Sequence, residues 1–443
     1  MEKKITLFNL AIPIFGELVL FVMLGIVDVI MLTKVSDQAA GAVGATNQII
    51  SLINIIFSII SAGTGVLVSQ YIGAKEKTEG HKAIVVSLVV ISMVGILCSF
   101  ALVIFGEPIL KLIGISEGLM SYAKTYINIV GGFMFVQSIL NVSTVTMRTY
   151  GYAKQTLAIT AGMNVINIIG DAVLIFGLFG LPKLGVAGVA IATSGSRTIA
   201  ATIALIYIFR KIVPISTLRH IKEFPFYILR KLLKVGLPAA LENMSYNLSQ
   251  IVISSIILYN LGETMYITRT YVWTMCSIAF IFSIAIGQAN QMIVGRLVGE
   301  KKFDEAYHAC LKNFKVSFYI AVVIGIVFYF FGSNIMELFT DNPEIIMWGG
   351  ATAMVNAFLE PGRTFNIVII NGLRGSGDVI FPVVMAMIFM WGIAVLGSYF
   401  FGVILGWGLP GIWFALLLDE WTRGFIMYGR WRSKKWTTKS LVG

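Results

Sequence analysis

The sequence predicts an all-α membrane protein with twelve transmembrane helices in two six-helix lobes, related by a pseudo-two-fold axis along the membrane normal. Three observations lead to this prediction: an apolar composition, basic residues concentrated in alternate loops, and an internal repeat. Hydrophobic residues make up 57% and charged residues 12% of the 443 positions, whereas soluble proteins contain about 25% charged residues. Because about 20 helical residues cross a bilayer, the chain has room for about a dozen spans.

Apolar runs between charged or Gly/Pro-rich breaks define the predicted spans. The first six lie near residues 8–33, 41–71, 83–106, 119–147, 155–180 and 185–209. The other six lie near 231–260, 264–295, 313–333, 343–372, 379–405 and 408–429. We therefore predict an amino-terminal lobe over 1–212, a cytoplasmic connector over 213–230, and a carboxy-terminal lobe with a basic cytoplasmic tail over 231–443. The first run is longer than a signal-peptide core, so we expect it to remain as the first span.

Basic residues predict the orientation, because Lys and Arg accumulate in cytoplasmic loops. With both termini inside, roughly 25 of the 33 basic residues lie on the cytoplasmic side and about five lie outside. The inner group includes Lys3, Lys4, Lys75, Lys77, Lys82, Arg148, Lys154, the connector 210–234, Lys301, Lys302, Arg374 and the tail 430–439. The net charge of +11 is thus a topology signal, and we predict no nucleic-acid partner. The compact loops favour the plasma membrane of a prokaryote.

An internal repeat relates the two halves, because a shift of about 226 residues superposes four landmarks in the same order. These are Pro13 and Glu17 with Pro238 and Glu242, Val68–Gly73 with Val294–Gly299, Arg148 and Gly151 with Arg374 and Gly377, and Leu184–Val189 with Trp407–Ile412. Parallel repeats of six spans predict two lobes with a cleft that opens alternately to either side of the membrane.

Polar residues inside the spans are the candidate functional residues, since a charge at mid-bilayer costs about 2.5–3.5 kcal/mol on insertion scales. Asp28 lies late in the first span, and Asn164, Asn167 and Asp171 share one helix face at i, i+3 and i+7. Carboxylate and amide oxygens in such a place bind Na⁺ or share a proton. All three histidines are predicted in charged loops, so a coupling site in the spans has to use carboxylates. The alternative is a hydrogen-bonded clasp between helices.

Other ionisable residues suggest structural or cavity-lining roles. Glu17 and Glu242 each follow a proline by four residues, which is typical of a helix bend but also suits a place on the cleft. Glu360 and Arg363 are three residues apart, as are Glu420 and Arg423, so these pairs can neutralise each other. Arg197 is a further basic residue within a span.

Several motifs follow one another in a fixed order: Leu10–Pro13 with Glu17, Gly25–Asp28, Gln70–Ala74, Met147–Arg148 with Gly151, Asn164–Gly177, Gly185–Gly188, Val294–Gly299, and Leu373–Asp378 with Pro382. Together they resemble the motifs of multidrug and toxic compound extrusion (MATE) transporters over essentially the whole chain. Leu237-Pro238 followed by Glu242 is similar to the pattern of the DinF-like branch rather than the NorM branch.

The resemblance implies secondary active multidrug export, in which rocking lobes exchange organic cations and other drugs for Na⁺ or H⁺. Carried over by motif, the cation-coupling residues are Asp28, Asp171, Asn167, Asn141 and Thr193, with Na⁺ possible at the first three. The implied substrate cavity contains Glu17, Glu242, Tyr246, Glu360 and Arg363. Tyr246 and Arg363 stand where NorM-like members carry acids, which argues against a second cation site in the carboxy-terminal lobe.

Other functions remain as alternatives. A lipid-linked oligosaccharide flippase of the same superfamily would share the lobes but would prefer a basic cavity, and a non-transporting channel or scaffold would show no ion-coupled flux. The sequence contains no motif of an intramembrane enzyme and no phosphate-binding loop, so we predict neither an enzyme nor ATP-driven transport. We expect no cofactor beyond the coupling ion. We expect a monomer in the lipid bilayer whose partners are small-molecule drugs or organic cations.

Overall fold

The computed structural model describes residues 6–217 and 224–442, and this part of the chain folds into helices without β-strands. Apart from the groups at its two ends, a helix bonds its backbone N–H and C=O groups internally, which is why helices suit a bilayer. The first half contains α1 Leu7–Thr33, α2 Asp37–Gly73, α3 Lys77–Leu112, α4 Glu117–Gly132, α5 Met134–Thr149, α6 Ala153–Phe176 and α7 Val186–Lys211. A short 3₁₀ turn, Leu178–Gly180, follows α6.

The second half contains α8 Phe226–Leu261, α9 Glu263–Gly299, α10 Phe303–Glu337, α11 Pro343–Ser376, α12 Ile380–Phe389, α13 Leu396–Tyr399 and α14 Gly408–Arg432. The π-helical stretch Met390–Val395 joins α12 to α13, and a second one, Phe400–Ile404, extends the same helical segment beyond α13. A final 3₁₀ turn, Lys435–Lys439, follows α14.

These helices account for the twelve predicted spans. Eight helical segments in the described part are long and apolar enough to cross a membrane, and α4 with α5, bent by 48°, forms a ninth. The remaining three are α8, α11 and α14, with 36, 34 and 25 residues. They are less apolar because they carry the charged residues described below. The fold class predicted from the sequence is therefore confirmed.

Helix ends differ from the predicted span ends because hydropathy marks only the part of a helix that lies in lipid. The charged stretches around His81 and His308, predicted as loops, belong to α3 and α10. Lys and Glu are good helix formers, so a helix continues readily beyond its apolar run. Lys3, Lys4 and His220 lie outside the described residues, and the orientation of the termini stays a prediction.

Contacts divide the chain into two compact units. Among the described residues, unit 1 contains 16–68, 76–217 and 224–236, and unit 2 contains Thr6–Phe15, Ser69–Lys75 and 237–442. Each unit thus includes a short stretch from beyond its own sequence half. The lobe boundaries predicted from the sequence stay a prediction.

Glycines permit the close helix crossings that create these exchanged stretches. In unit 1, a Cβ on Gly63 of α2 would overlap the Leu232 carbonyl of α8, and one on Gly236 would overlap the Ile59 carbonyl. In unit 2, the ends of α2 and α9 cross in the same way: Gly73 meets the Arg296 carbonyl, and Gly299 meets the Gln70 carbonyl. Small residues let helix backbones approach this closely. The second crossing is reciprocal, and its residues are related by the predicted repeat.

The carboxy-terminal segment is anchored to unit 2. The indole rings of Trp431 and Trp436 stack with centroids 4.2 Å apart, and Trp436 Nε1 donates to the Trp431 carbonyl at 2.9 Å. Gln70 at the end of α2 accepts from the Leu441 amide at 2.8 Å and donates to the Gly375 carbonyl at 2.8 Å. One glutamine side chain therefore joins α2, the end of α11 and the chain's last described residues.

The α2–α9 crossing predicts that Gly299→Ala lowers the stability of the protein. The added Cβ overlaps the backbone carbonyl of Gln70, and overpacking of this kind costs about 1–3 kcal/mol. Gly429→Ala is the matched control, because nothing lies within 4 Å of the Cβ it adds and Ala is the better helix former. Thermal unfolding of the purified protein, followed by fluorimetry in detergent, should show a lower melting temperature for the first variant only. Equal melting temperatures for the two variants would contradict the crossing.

Candidate cation and substrate sites

The predicted coupling residues meet inside unit 1. Asp28 on α1 and Asp171 on α6 are 7% and 0% exposed, and their carboxyl groups lie within hydrogen-bonding range of each other. Asn164 and Asn167, on the same face of α6, are also buried. The polar stripe read from the sequence therefore faces the interior of unit 1.

Asn167 links the two carboxylates to α7. In the amide orientation that satisfies all its neighbours, its nitrogen donates to Asp28 Oδ1 at 3.1 Å and to Asp171 Oδ2 at 3.2 Å. Its oxygen then accepts from the Thr193 amide at 3.1 Å and the Thr193 hydroxyl at 3.3 Å. The structure thus brings together four of the five predicted coupling residues.

This group suits a small monovalent cation. Asp171 Oδ1 is buried and has no hydrogen-bond partner among residues 6–217 and 224–442. Na⁺ binds carboxylate, amide and hydroxyl oxygens, all of which are present here. Two buried carboxyl groups in contact can equally share a proton, because two adjacent negative charges repel each other. The geometry is compatible with either ion.

The fifth predicted residue, Asn141 on α5, has a different neighbour. Its side-chain oxygen accepts from Gln137 Nε2, one turn earlier, at 2.7 Å. Asn164 also acts locally, donating to the Leu20 carbonyl of α1 at 2.7 Å. Asn164 therefore holds α6 against α1 next to the carboxylates.

Arg197 and Tyr126 complete the surroundings of the carboxylates, and neither was among the predicted coupling residues. Arg197 lies one turn after Thr193 on α7 and interacts electrostatically with Asp28 and with the Tyr126 hydroxyl. Tyr126 on α4 donates to Asn47 Oδ1 at 3.3 Å. The four-residue spacing of Thr193 and Arg197 was the one signal in the sequence that put Arg197 on the face of α7 that carries Thr193.

Glu17 and Glu242 occupy equivalent positions in the two units, and each binds an arginine. Glu17 forms an ion pair with Arg148 and accepts from Thr156 Oγ1 at 2.5 Å. Glu242 forms the matching pair with Arg374 at 2.5 Å. The repeat identified in the sequence is thus present as a repeated contact.

Unit 2 contains a buried network of acids and arginines. Arg363 lies 2.6 Å from Glu360 and 3.8 Å from Glu420, so the pairing predicted from their spacing is present. Arg423 contacts both Asp419 and Glu420. Spacing along the sequence predicts two separate pairs, whereas Glu420 joins them into one network between α11 and α14.

Tyr246 lies beside this network and beside Arg269, which was not among the residues predicted from the sequence. It interacts electrostatically with Arg363, Glu420 and Arg269. Arg269 lies near the start of α9, where a basic residue reads as the flank of a span. Its neighbour Gln250 on α8 follows Tyr246 by four residues, so the two share one helix face. The four-residue spacing of Tyr246 and Gln250 was the one sequence signal that pointed to this side of α8.

Comparison with known proteins agrees with these features. The protein-family model MatE matches residues 13–173 and 238–400, one block in each half. The uncharacterized transporter YisQ of Bacillus subtilis is 40% identical over 441 residues, covering 100% of this chain and 97% of that protein. The probable multidrug resistance protein NorM of Thermotoga maritima is 25% identical over 447 residues, covering 100% and 96%.

Solved structures show the same fold. A MOP superfamily transporter from Pyrococcus furiosus has a TM-score of 0.87 at 18% identity, covering 99% of this chain and 100% of that one. A MATE protein in complex with MaD3S has a TM-score of 0.89 at 19% identity, covering 98% and 96%. Since the MatE model matches most of the chain and YisQ aligns along all of it, this multi-pass membrane protein belongs to the MATE family of transporters.

Proposed function

We propose that this protein is a secondary active multidrug exporter, which exchanges organic cations and other drugs for Na⁺ or H⁺ by alternating access of two rocking lobes. The observation that carries the proposal is the buried Asp28–Asp171 pair of unit 1, joined through Asn167 to Thr193. Ionisable groups buried in a membrane protein commonly belong to an ion pathway. NorM of Thermotoga maritima, similar over the whole length, is named a probable multidrug resistance protein.

Charge at the site supports coupling to one monovalent cation per binding event. Two carboxylates and the nearby Arg197 guanidinium leave one uncompensated negative charge, since two minus one is one. A single Na⁺ or H⁺ removes that charge, which lowers the cost of moving the site through a dehydrated state. The Asn167 amide suits both ions, because it can turn either its nitrogen or its oxygen towards the carboxylates.

The finer assignments belong to the same proposal. We place the protein in the plasma membrane with both termini in the cytoplasm, as a monomer that needs no cofactor besides the coupling ion and performs no enzymatic chemistry. The Leu237-Pro238 pattern followed by Glu242 supports the DinF-like branch. Glu17, Glu242, Tyr246, Glu360 and Arg363 are the proposed cavity residues. A flippase is less well supported, because Arg363 and Arg423 are paired with acids and so do not present a basic surface for pyrophosphate.

Ion-driven flux in a purified system tests this function. We expect proteoliposomes to move ethidium against its gradient when either a Na⁺ or a H⁺ gradient is imposed, with the other ion at equilibrium. The ion that drives movement is the coupling ion. Liposomes without protein and gradients collapsed by ionophores provide the background. If neither gradient moves ethidium or several other cationic dyes, the exporter assignment is wrong.

Neutralising Asp171 tests the site itself. Asp171→Asn removes one carboxylate and the uncompensated charge, so we expect gradient-driven ethidium transport to fall at least about tenfold, equivalent to about 1.4 kcal/mol. Asp341→Asn is the matched control, because Asp341 is exposed in the loop before α11. Both variants should insert and elute as wild type on size exclusion. Wild-type transport by Asp171→Asn would show that this carboxylate does not couple transport.

A further inference from the structure

One face of unit 2 combines polar and aromatic side chains from two helices. On α8, Tyr246 and Gln250 are four residues apart, and on α9 Arg269, Trp273 and Phe280 recur at intervals of four and seven. These intervals keep residues on one side of a helix. None of these five side chains is fully exposed or fully buried. They therefore lie at the edge of the packed interior, where a ligand can reach them.

Arg269 is held by neighbours that do not neutralise it. Its Nη2 donates to Gln250 Oε1 at 3.1 Å, and its Cζ lies 5.8 Å from the centroid of the Trp273 ring. The second distance is within the range of a cation–π contact. The Gln250 amide orients one edge of the guanidinium, and the Trp273 indole packs near it. The remaining N–H donors of Arg269 therefore keep a fixed direction.

Three arginines of the sites described above differ in this respect. Arg363, Arg374 and Arg423 each contact a carboxylate. Within residues 6–217 and 224–442, no Asp or Glu oxygen lies within 4.0 Å of Arg269. A half-buried guanidinium without an anion is costly to keep inside a membrane protein, and such residues generally mark a substrate or ion pathway. An anionic group supplied by a ligand would compensate this charge.

We propose that Arg269, with Gln250 and Trp273, binds the carboxylate of an amphipathic aromatic substrate. This inference rests on the proposed function, since it defines the substrate class of the same carrier. The guanidinium fork matches a carboxylate in a bidentate geometry, and the indole offers an apolar surface to the aromatic part of the molecule. Tyr246 lies within electrostatic range of both Arg269 and Glu420, so a zwitterionic molecule would meet opposite charges on the two sides of this tyrosine.

Two dyes that differ by one methyl ester test the carboxylate subsite. Rhodamine 110 carries a free carboxylate, and rhodamine 123 is its methyl ester. We expect wild-type protein in detergent at neutral pH to bind rhodamine 110 more tightly, as measured by fluorescence anisotropy. Tighter or equal binding of the ester would overturn the proposal. The measurement uses no gradient, so its failure is distinct from a failure of ethidium transport.

Substitution of Arg269 assigns the preference to this residue. Arg269→Gln should weaken rhodamine 110 binding at least about tenfold and leave rhodamine 123 within about twofold, because a charge-assisted bond is lost with one dye only. Arg269→Lys, which keeps the charge, should retain part of the preference. Arg432→Gln, an exposed arginine at the end of α14, is the matched control and should change neither dye. Equal loss of both dyes in Arg269→Gln would mean a packing role and would refute the subsite.

An anionic lipid headgroup carries a similar charge, so a separate measurement tests whether lipid binds at Arg269. Binding is repeated in mixed micelles of detergent and phosphatidylcholine, with and without added phosphatidylglycerol. We expect rhodamine 110 affinity to change by less than about twofold. A loss of tenfold or more that depends on Arg269 would assign the site to lipid phosphate and reject the substrate carboxylate.

Discussion

A buried glutamate bound by a distant arginine is the interaction on which both halves of this protein depend. Proline removes a backbone donor within α1 and within α8, and a glutamate follows four residues later in each case. Arg148 and Arg374 satisfy these carboxylates from the ends of the fourth and tenth spans. A buried carboxylate left without its partner would cost several kcal/mol. The pair therefore allows a loosened helix to keep one position against its neighbours.

In unit 1 the same pair sets the register that brings the candidate cation-site residues together. Glu17 also accepts from Thr156 on α6, and further along the contact between these two helices Asn164 of α6 donates to the Leu20 carbonyl of α1. Because Asp28 lies eleven residues after Glu17, about three helical turns, it projects from the same side of α1. Asp171 likewise lies four turns after Thr156 on α6. The contact between Asp28 and Asp171 is thus the last in a row of polar contacts between α1 and α6 that begins at Glu17.

The sequence was sufficient for the helices and for the residue types of the candidate cation site, because both depend on local patterns. Apolar runs give twelve spans, and the spacing of Asn164, Asn167 and Asp171 gives a buried stripe. It was not sufficient for partners distant in the chain. Arg148 and Glu17 are 131 residues apart, and no periodicity within one helix reports that contact. Arg269 was missed for a related reason: near a span end, a basic residue that faces the protein has the same sequence context as one that faces lipid headgroups.

The two units have kept one scaffold and distributed charge on it differently. Each contains a neutral Glu–Arg pair at the equivalent place. Unit 1 adds two aspartates and Arg197, a net charge of minus one concentrated around Asn167, which a small cation can neutralise. Unit 2 adds Glu360, Asp419 and Glu420 against Arg363, Arg423 and Arg269, a net charge of zero in which Arg269 stands apart from the acids. A concentrated charge favours a compact ion, whereas separated opposite charges with aromatic rings between them favour a larger amphipathic molecule. The repeated fold thus carries a different distribution of charge in each half, one suited to a compact ion and the other to a larger amphipathic molecule.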